Sequence, residues 1–424
     1  MTATQLSPSP AKPAVALPAA FGGAPLFSEP VPMVRPALPD AAELAGHWTR
    51  LLTGGQITNG ATVRRFEQAA AQYLNVAECV AVSSCTSGLM LVERCLGLTG
   101  RVIVPSFTFF ATAHSLLWNQ LEPVLVDCDP HTWNLDPARV RRALGSVPGI
   151  SAILAVHVFG NPAPVGELES IARDAGVRLI FDAAHGFGAR CAGHPVGAAG
   201  DAEIFSLSPT KLLVAGEGGL VATRDPDLAR ALRAARNYGD AGDYDCQVLG
   251  LNARMTEFQA ALALAGLPLV EGHVERRNRL ATRYEAVLSS QVGLSLQQIR
   301  PQDRSARKDF SIVLEASRFG VPRHLIQAAL QQENVPTRLY FDPPLHRQRL
   351  YQRFYHPELD RLETTDTLSC GVLNLPIYPQ LGERDAERIA CRLLEIRDSI
   401  RRQIRALRDF DTEGQSLTPS SSNR

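Results

Sequence analysis

From about residue 60 the chain alternates between two hydrophobic patterns: apolar residues spaced near 3.6, and short unbroken apolar runs closed by turn residues. The unbroken runs are "ECVAVSS" (78–84), "RVIVPS" (101–106), "PVLVDCD" (123–129), "SAILAVHV" (151–158), "RLIFDAA" (178–184), "AEIFSLS" (202–208) and "GGLVATRD" (218–225). A strand without polar alternation is buried on both faces, as in a parallel sheet covered by helices on either side. The intervening segments supply such helices. "PVGELESIARDAGV" (164–177) has helical spacing and a glycine at 176 to stop it. The pattern predicts an α/β chain with a central, mostly parallel, seven-stranded sheet. After Gly250, "NARMTEFQAALALAGL" opens a long helix, and the Arg-rich remainder to about residue 408 reads as a smaller α/β domain.

Length agrees with this division, because 424 residues exceed what one ordinary core organises. The expected parts are a disordered segment 1–20, a large domain 21–265, a small domain 266–408 and a disordered tail 409–424, the two ends carrying a Pro/Ser/Thr bias. Lys+Arg and Asp+Glu balance at 43 each, so no global field selects nucleic acid or an anionic membrane. The longest apolar runs, such as "ISAILAVHVFG", are about half of what spans a bilayer, and the N-terminus has no compact apolar core, so the reading is a soluble, cytoplasmic protein. Eight cysteines without a C-x-x-C pair read as reduced, packed thiols.

One residue type changes the picture. Only three lysines occur, Lys12, Lys211 and Lys308, against 43 basic residues in all. A role needing only positive charge falls to arginine in this composition. An amine that must lose its proton and attack a carbonyl cannot, since guanidinium stays protonated. Lys211 follows the strand ending at Ser206, and sites in open α/β sheets form at such carboxyl ends. Asp182 and His185 close another strand. "SSCTSGL" closes a third and opens a helix whose first N–H groups, at Cys85, Thr86 and Ser87, suit an anion such as phosphate. Singly these are caps and turn formers. Together, a lone lysine, a carboxylate, an imidazole and a phosphate cradle are what pyridoxal phosphate (PLP) requires.

The ordered stretches "FEQAAAQYLNVAECVAVSSCTSGL", "VIVPSFTFFATAHSLLWNQLEPVLVDCDPHTWNLDP", "VHVFGNP", "FDAAHGFGA", "GDAEIFSLSPTKLLVAGEGGLVATRD" and "LGLNARMTEFQAA" resemble the DegT/DnrJ/StrS family of PLP-dependent sugar aminotransferases, over residues from about 21 to 400. "FGGAPLFSEPVPMVRP" further resembles the branch that aminates C4 of nucleotide-linked 4-keto-6-deoxyhexoses. The resemblance implies the aspartate aminotransferase-like fold (fold type I) and a homodimer with shared sites. It implies transfer of an amino group from L-glutamate or glutamine to a nucleotide-linked keto sugar, in polysaccharide or secondary-metabolite biosynthesis. Carried over by position, Lys211 is the Schiff-base lysine and Asp182 the partner of the pyridinium nitrogen. His185 lies near the phenolic oxygen, and Phe109 is the aromatic stacked on the ring. Cys85, Thr86 and Ser206 hold the phosphate, and one of Asn252 and Arg254 completes the neighbouring subunit's phosphate site. Arg338 and Tyr340 match a segment near the substrate entrance. No metal site is expected.

Two positions depart from the family pattern. Relatives often read Ser-Phe-His-x-x-Lys where this chain has Ser206-Leu207-Ser208-Pro209-Thr210-Lys211, and Cys85 stands where glycine or alanine is common. Rival readings keep the cofactor and change the acceptor to a keto-cyclitol or an aminobenzoate precursor, or keep the fold as a catalytically silent binding or regulatory protein. The dehydratase branch, with histidine for the lysine, is disfavoured by Lys211. A nicotinamide-binding fold is disfavoured because "GEGG" precedes a strand and no G-x-G-x-x-G joins a strand to a helix.

Overall fold

The computed structural model describes residues 17–415, with side chains to residue 408. All seven apolar runs form strands: β1 (Glu78–Val82), β2 (Arg101–Pro105), β3 (Glu122–Val126), β4 (Ile150–Val156), β5 (Arg178–Asp182), β8 (Ala202–Ser206) and β9 (Gly219–Thr223). A small hairpin, β6 (Arg190–Cys191) and β7 (His194–Pro195), interrupts the series. The seven join one sheet in the order β1-β9-β8-β5-β4-β2-β3. Only β9 runs against the rest, pairing antiparallel with both neighbours.

Strand residues alternate between two helical layers. Val80, Val82, Leu154, Ile180 and Ile204 pack with residues of α3 (Cys85–Cys95), α4 (Phe110–Trp118) and α7 (Pro226–Ala235). Ala81, Phe205 and Leu220 face α2 (Ala61–Leu74) and α8 (Glu257–Gly266), while Ile153 and Phe181 face α5 (Pro137–Ser146) and α6 (Val165–Ala175). Burial on both faces is why these strands lack a polar period. Gly176 ends α6 at φ 64°, as its position predicts. An outlying helix, α1 (Ala41–Gly54), buries only Leu44.

A second, antiparallel sheet of β10 (Leu294–Leu296), β11 (Phe310–Leu314) and β12 (Val372–Leu375) packs under α9 (Val270–Leu288), α11 (Arg323–Gln332) and α13 (Glu383–Gln415), with α10 (Ala316–Phe319) and α12 (Glu363–Gly371) at its margins. Helix α9 belongs to both cores: Val270 and Val274 pack against the large sheet's layer, Leu280, Tyr284 and Leu288 against the small sheet.

The long helix expected after Gly250 is shorter and broken. Thr256 and Gln259 form a capping box that starts α8 at Glu257, and Pro268, lacking an N–H, marks a 3-10 turn (Leu267–Leu269) before α9 resumes. Residues 251–253 instead hydrogen-bond to the end of α7 and to Ser83.

The described residues overlap both ends expected to be disordered, at 17–20 and 409–415. Residues 1–16 and 416–424 lie outside the described residues, and α13 runs to Gln415. Residues 17–20 are held: the Ala19 and Leu26 N–H groups donate to Glu333 at 2.6 and 2.7 Å, and that carboxylate also pairs with Arg392 at 3.0 Å. All eight cysteines are free. Cys79, Cys85 and Cys128 are buried, whereas Cys246, Cys370 and Cys391 are exposed, so packing accounts for only part of the set. Among the described residues no helix is long and apolar enough to cross a membrane.

Candidate active site

The carboxyl ends of β1, β2, β5 and β8 converge on a cavity of about 340 Å3 closed from the other side by Lys308, Tyr340 and Phe341. Lys211, Asp182, His185, Cys85, Thr86, Phe109 and Ser206 all line it. Seven residues named from sequence, spread over 127 positions between Cys85 and Lys211, therefore meet in one place.

Each is positioned by local chemistry. Ser84 caps α3 reciprocally with Ser87, the Ser87 N–H donating to Ser84 Oγ at 3.0 Å and the Ser84 N–H to Ser87 Oγ at 3.1 Å. The N–H groups of Cys85 and Thr86, first in the helix, have no carbonyl of their own turn to bond, and both residues line the cavity. Strand β9 presses on this turn: a Cβ at Gly219 would stand 2.5 Å from the Ser84 carbonyl carbon and 2.7 Å from the Cys85 nitrogen. That contact is the reason for glycine at the end of "GEGG".

Asp182 ends β5, 5% exposed. Its Oδ2 accepts the Thr112 hydroxyl at 2.7 Å, and Thr112 is met in turn by Thr108 at 2.9 Å. Its Oδ1 accepts the Ala184 N–H at 3.0 Å and lies 3.8 Å from Cys85 Sγ. The Cys85 thiol is pushed well up, first by burial and then by Asp182, so it is a neutral donor and not a thiolate.

Lys211 sits in the turn after β8, its own N–H donating to Ser208 O at 3.0 Å. Burial first, and the nearby Lys308 second, bring its amine down to about 8, against opposing pulls from the carboxylates of Asp309 and Asp182. His185 is lowered well below the usual imidazole range by burial, Lys211 and Lys308, so its ring is neutral. Its Nδ1 is buried without a partner. Ser206 Oγ and Ser208 Oγ lie 3.4 Å apart beside the phosphate turn. Phe109 is 44% exposed where it lines the cavity, its ring set against that of Phe110 with centroids 3.9 Å apart.

These groups fit PLP. An unsatisfied imidazole nitrogen, a carboxylate with one hydroxyl and one N–H already aligned on it, open N–H groups at a helix start and a partly neutral amine are complementary to a phenolic oxygen, a ring nitrogen, a phosphate and an aldehyde respectively. Asn252 and Arg254 are not part of this cavity. Asn252 is exposed, and Arg254 donates to Asn237 Oδ1 at 2.5 Å and lies over the Tyr238 ring. Tyr340 lines the cavity; Arg338 does not. Sequence reasoning gave no role to Thr108, Thr112 or Lys308. The rarity of lysine that singled out Lys211 applied equally to Lys308, and Thr112 carried no signal beyond its place in "TFFAT".

A mostly parallel sheet with a lysine, an acid and open helix N–H groups at its carboxyl edge is the arrangement expected of a PLP-dependent enzyme of the aspartate aminotransferase-like fold. The comparisons with known proteins make the assignment specific. Residues 40–394 match the model of the DegT/DnrJ/EryC1/StrS aminotransferase family. The chain is 35% identical over 352 residues (80% of this chain, 92% of the relative) to UDP-N-acetyl-3-dehydro-alpha-D-glucosamine 3-aminotransferase of Acidithiobacillus ferrooxidans. It is 29% identical over 366 residues (86% and 98%) to dTDP-4-amino-4,6-dideoxy-D-glucose transaminase of Escherichia coli. Among solved structures, DesI in the presence of its TDP-sugar product aligns with TM-score 0.85 at 36% identity, covering 92% of this chain and 98% of that one. The chain belongs to the DegT/DnrJ/EryC1/StrS aminotransferase family.

Proposed function

We propose that this aminotransferase uses PLP to move an amino group from L-glutamate to the keto group of a nucleotide-linked deoxy sugar, yielding an amino sugar. The observation that carries the reading is the meeting of Lys211 and Asp182 in one cavity, with the helix start at Cys85 and Thr86 beside them. The acceptor class is supported by relatives named for UDP- and dTDP-linked sugars and by the TDP-sugar product of DesI.

Bound PLP supplies an electron sink for the carbon that carries the amine. The chain's residues do the rest. Lys211 is the group that would hold the aldehyde. Once released, its amine takes a proton from the amine-bearing carbon and returns one, a shuttle that needs a base near neutrality. Brought to about 8, roughly a tenth of it is unprotonated at pH 7. Asp182, oriented by Thr112 and the Ala184 N–H, keeps a proton on the ring nitrogen. Neutral His185 would meet the phenolic oxygen and Phe109 the ring, and Ser206 with the Cys85 and Thr86 N–H groups would hold the phosphate. Asn252 and Arg254 lie outside their own cavity, in keeping with the role the resemblance implies for one of them in a partner subunit of a homodimer.

The test is incubation of the PLP-loaded protein with L-glutamate and a dTDP-linked 4-keto-6-deoxyhexose, followed by mass detection of 2-oxoglutarate and amino sugar, with UDP-linked 3-keto sugar and keto-inositol as alternative acceptors. Lys211→Arg keeps the charge and should abolish turnover. Amino transfer by that variant at near wild-type rate would refute the assignment, and exclusive use of keto-inositol would move the acceptor to the cyclitols.

A further inference from the structure

Two of the chain's three lysines line the same cavity, in a protein that uses arginine almost everywhere else. Lys308 stands in the segment leading into β11, opposite the large sheet. It is 3% exposed, and its Nζ is fixed by both oxygens of Asp309 at 2.9 and 3.1 Å and lies 5.6 Å from the centre of the Tyr340 ring. Its backbone is held as firmly, the N–H donating to Phe159 O at 3.0 Å and the carbonyl accepting from Arg277 Nη1 at 3.1 Å. A buried ammonium with this many restraints is not a solvated surface charge, and nothing in the proposed reaction has so far used it.

We propose that Lys308 is a positioning residue for the reaction: its locked ammonium repels a second positive charge at Lys211 and so holds that amine ready to act as base and nucleophile. The inference rests on the proposed function of Lys211. Charged and titratable groups reach Lys211 from every wall. Cys85 comes from the start of α3, Asp182 and His185 from the end of β5, Glu217 from the turn before β9, and Tyr340, Lys308 and Asp309 from the small-sheet side. Cys85 and His185 are neutral, and the carboxylates of Asp182 and Asp309 favour the protonated amine. Lys308 is the only cation among them. Like charges brought together in a desolvated pocket disfavour the second protonation, the arrangement that activates paired lysines. Asp309 has a double part: it holds Lys308 in place and opposes its effect at Lys211, with Lys308 the stronger of the two.

Opposite signs make the proposal testable. The full-length chain, stripped of cofactor with hydroxylamine, is pulse-labelled with acetic anhydride across a pH series, and acetylation of Lys211 is read from its peptide by mass spectrometry. Three lysines make the readout unambiguous. Wild type should show a midpoint near 8. Lys308→Met should move it up by about one unit, towards an ordinary lysine. Lys308→Arg should leave it low, and Asp309→Asn should move it down. In the PLP-loaded enzyme the acid limb of kcat/KM should follow the same order. An unmoved midpoint in Lys308→Met, or an upward shift in Asp309→Asn, overturns the proposal. If Lys308→Met folds poorly, Asp309→Asn decides alone. Failure of amino transfer in wild type would instead strike the proposed function, and a normal transfer rate with an unmoved midpoint strikes only Lys308.

Discussion

Gly219 offers a direct test of how tightly the large sheet supports the turn at Ser84–Thr86, where phosphate is proposed to bind. Its φ is not in the left-handed region, so alanine there is not strained by its backbone; the obstacle is space. The added Cβ would lie 2.5 Å from the Ser84 carbonyl carbon, 2.6 Å from its oxygen and 2.7 Å from the Cys85 nitrogen, all backbone atoms that cannot rotate away. Ordinary contact needs about 1 Å more, which either β9 or the start of α3 must yield. Overpacking of this kind costs about 1–3 kcal/mol. A retreat of α3 would also withdraw the Cys85 and Thr86 N–H groups from the phosphate proposed to bind there, and each charge-assisted hydrogen bond lost is about 1.5–3 kcal/mol, or roughly 10- to 100-fold in affinity. Gly216 is the control. It has φ 82° with open space around it, so Gly216→Ala carries only a left-handed backbone cost of about 1 kcal/mol. PLP titration followed by absorbance, together with urea unfolding, separates the two. Gly219→Ala should lose at least about tenfold in PLP affinity, whereas Gly216→Ala should bind normally at slightly lower stability. If Gly219→Ala binds PLP within twofold of wild type, the close approach of β9 is not what sets the turn.

Thr112→Val replaces the 2.7 Å hydrogen bond to Asp182 with a methyl of the same shape; kcat/KM should fall about 10- to 100-fold with little change in Tm. Glu93 is buried against Ser115 and Asn119, and burial raises its carboxyl from 4.5 to about 8 despite those two hydrogen bonds. Because the folded form holds its proton longer than the unfolded form, its stabilising contribution is complete below about 4.5 and is lost as pH rises through about 8. Glu93→Gln, which cannot ionise, should flatten the decline of Tm between those values, and an unchanged slope would mean that Glu93 is ionised in the folded protein.

The sheet was legible because its strands are buried on both faces and so appear as unbroken apolar runs, with only their ends trimmed by turn residues such as Asp129 and Asp225. The candidate site was legible where chemistry follows directly from chain position: Asp182 and Ser206 end strands, Cys85 opens a helix, and Lys211 lies five residues past a strand. What escaped depends on contacts between distant segments. Thr112 meets Asp182 across 70 residues, Glu333 anchors Ala19 across 314, and Lys308 reaches the cavity from the small sheet. Local pattern has no access to such pairs. The helix expected after Gly250 failed differently, because a proline one residue past a helical stretch was visible as Pro268 and the capping box as Thr256 and Gln259.

The choice of amine over guanidinium joins these two levels of reading. Arg236, Arg277 and Arg392 are buried, as Lys308 is, and they bind carboxylates or carbonyls that need only a permanent donor. Burial lowers Arg277, but only to about 10, still charged at neutral pH. The same desolvation brings Lys211 to about 8, within reach of a working base. One physical cause acting on two functional groups thus leaves a permanent cation in one place and, in the other, an amine able to give up its proton near neutrality. The sequence records the distinction only as a scarcity of lysine.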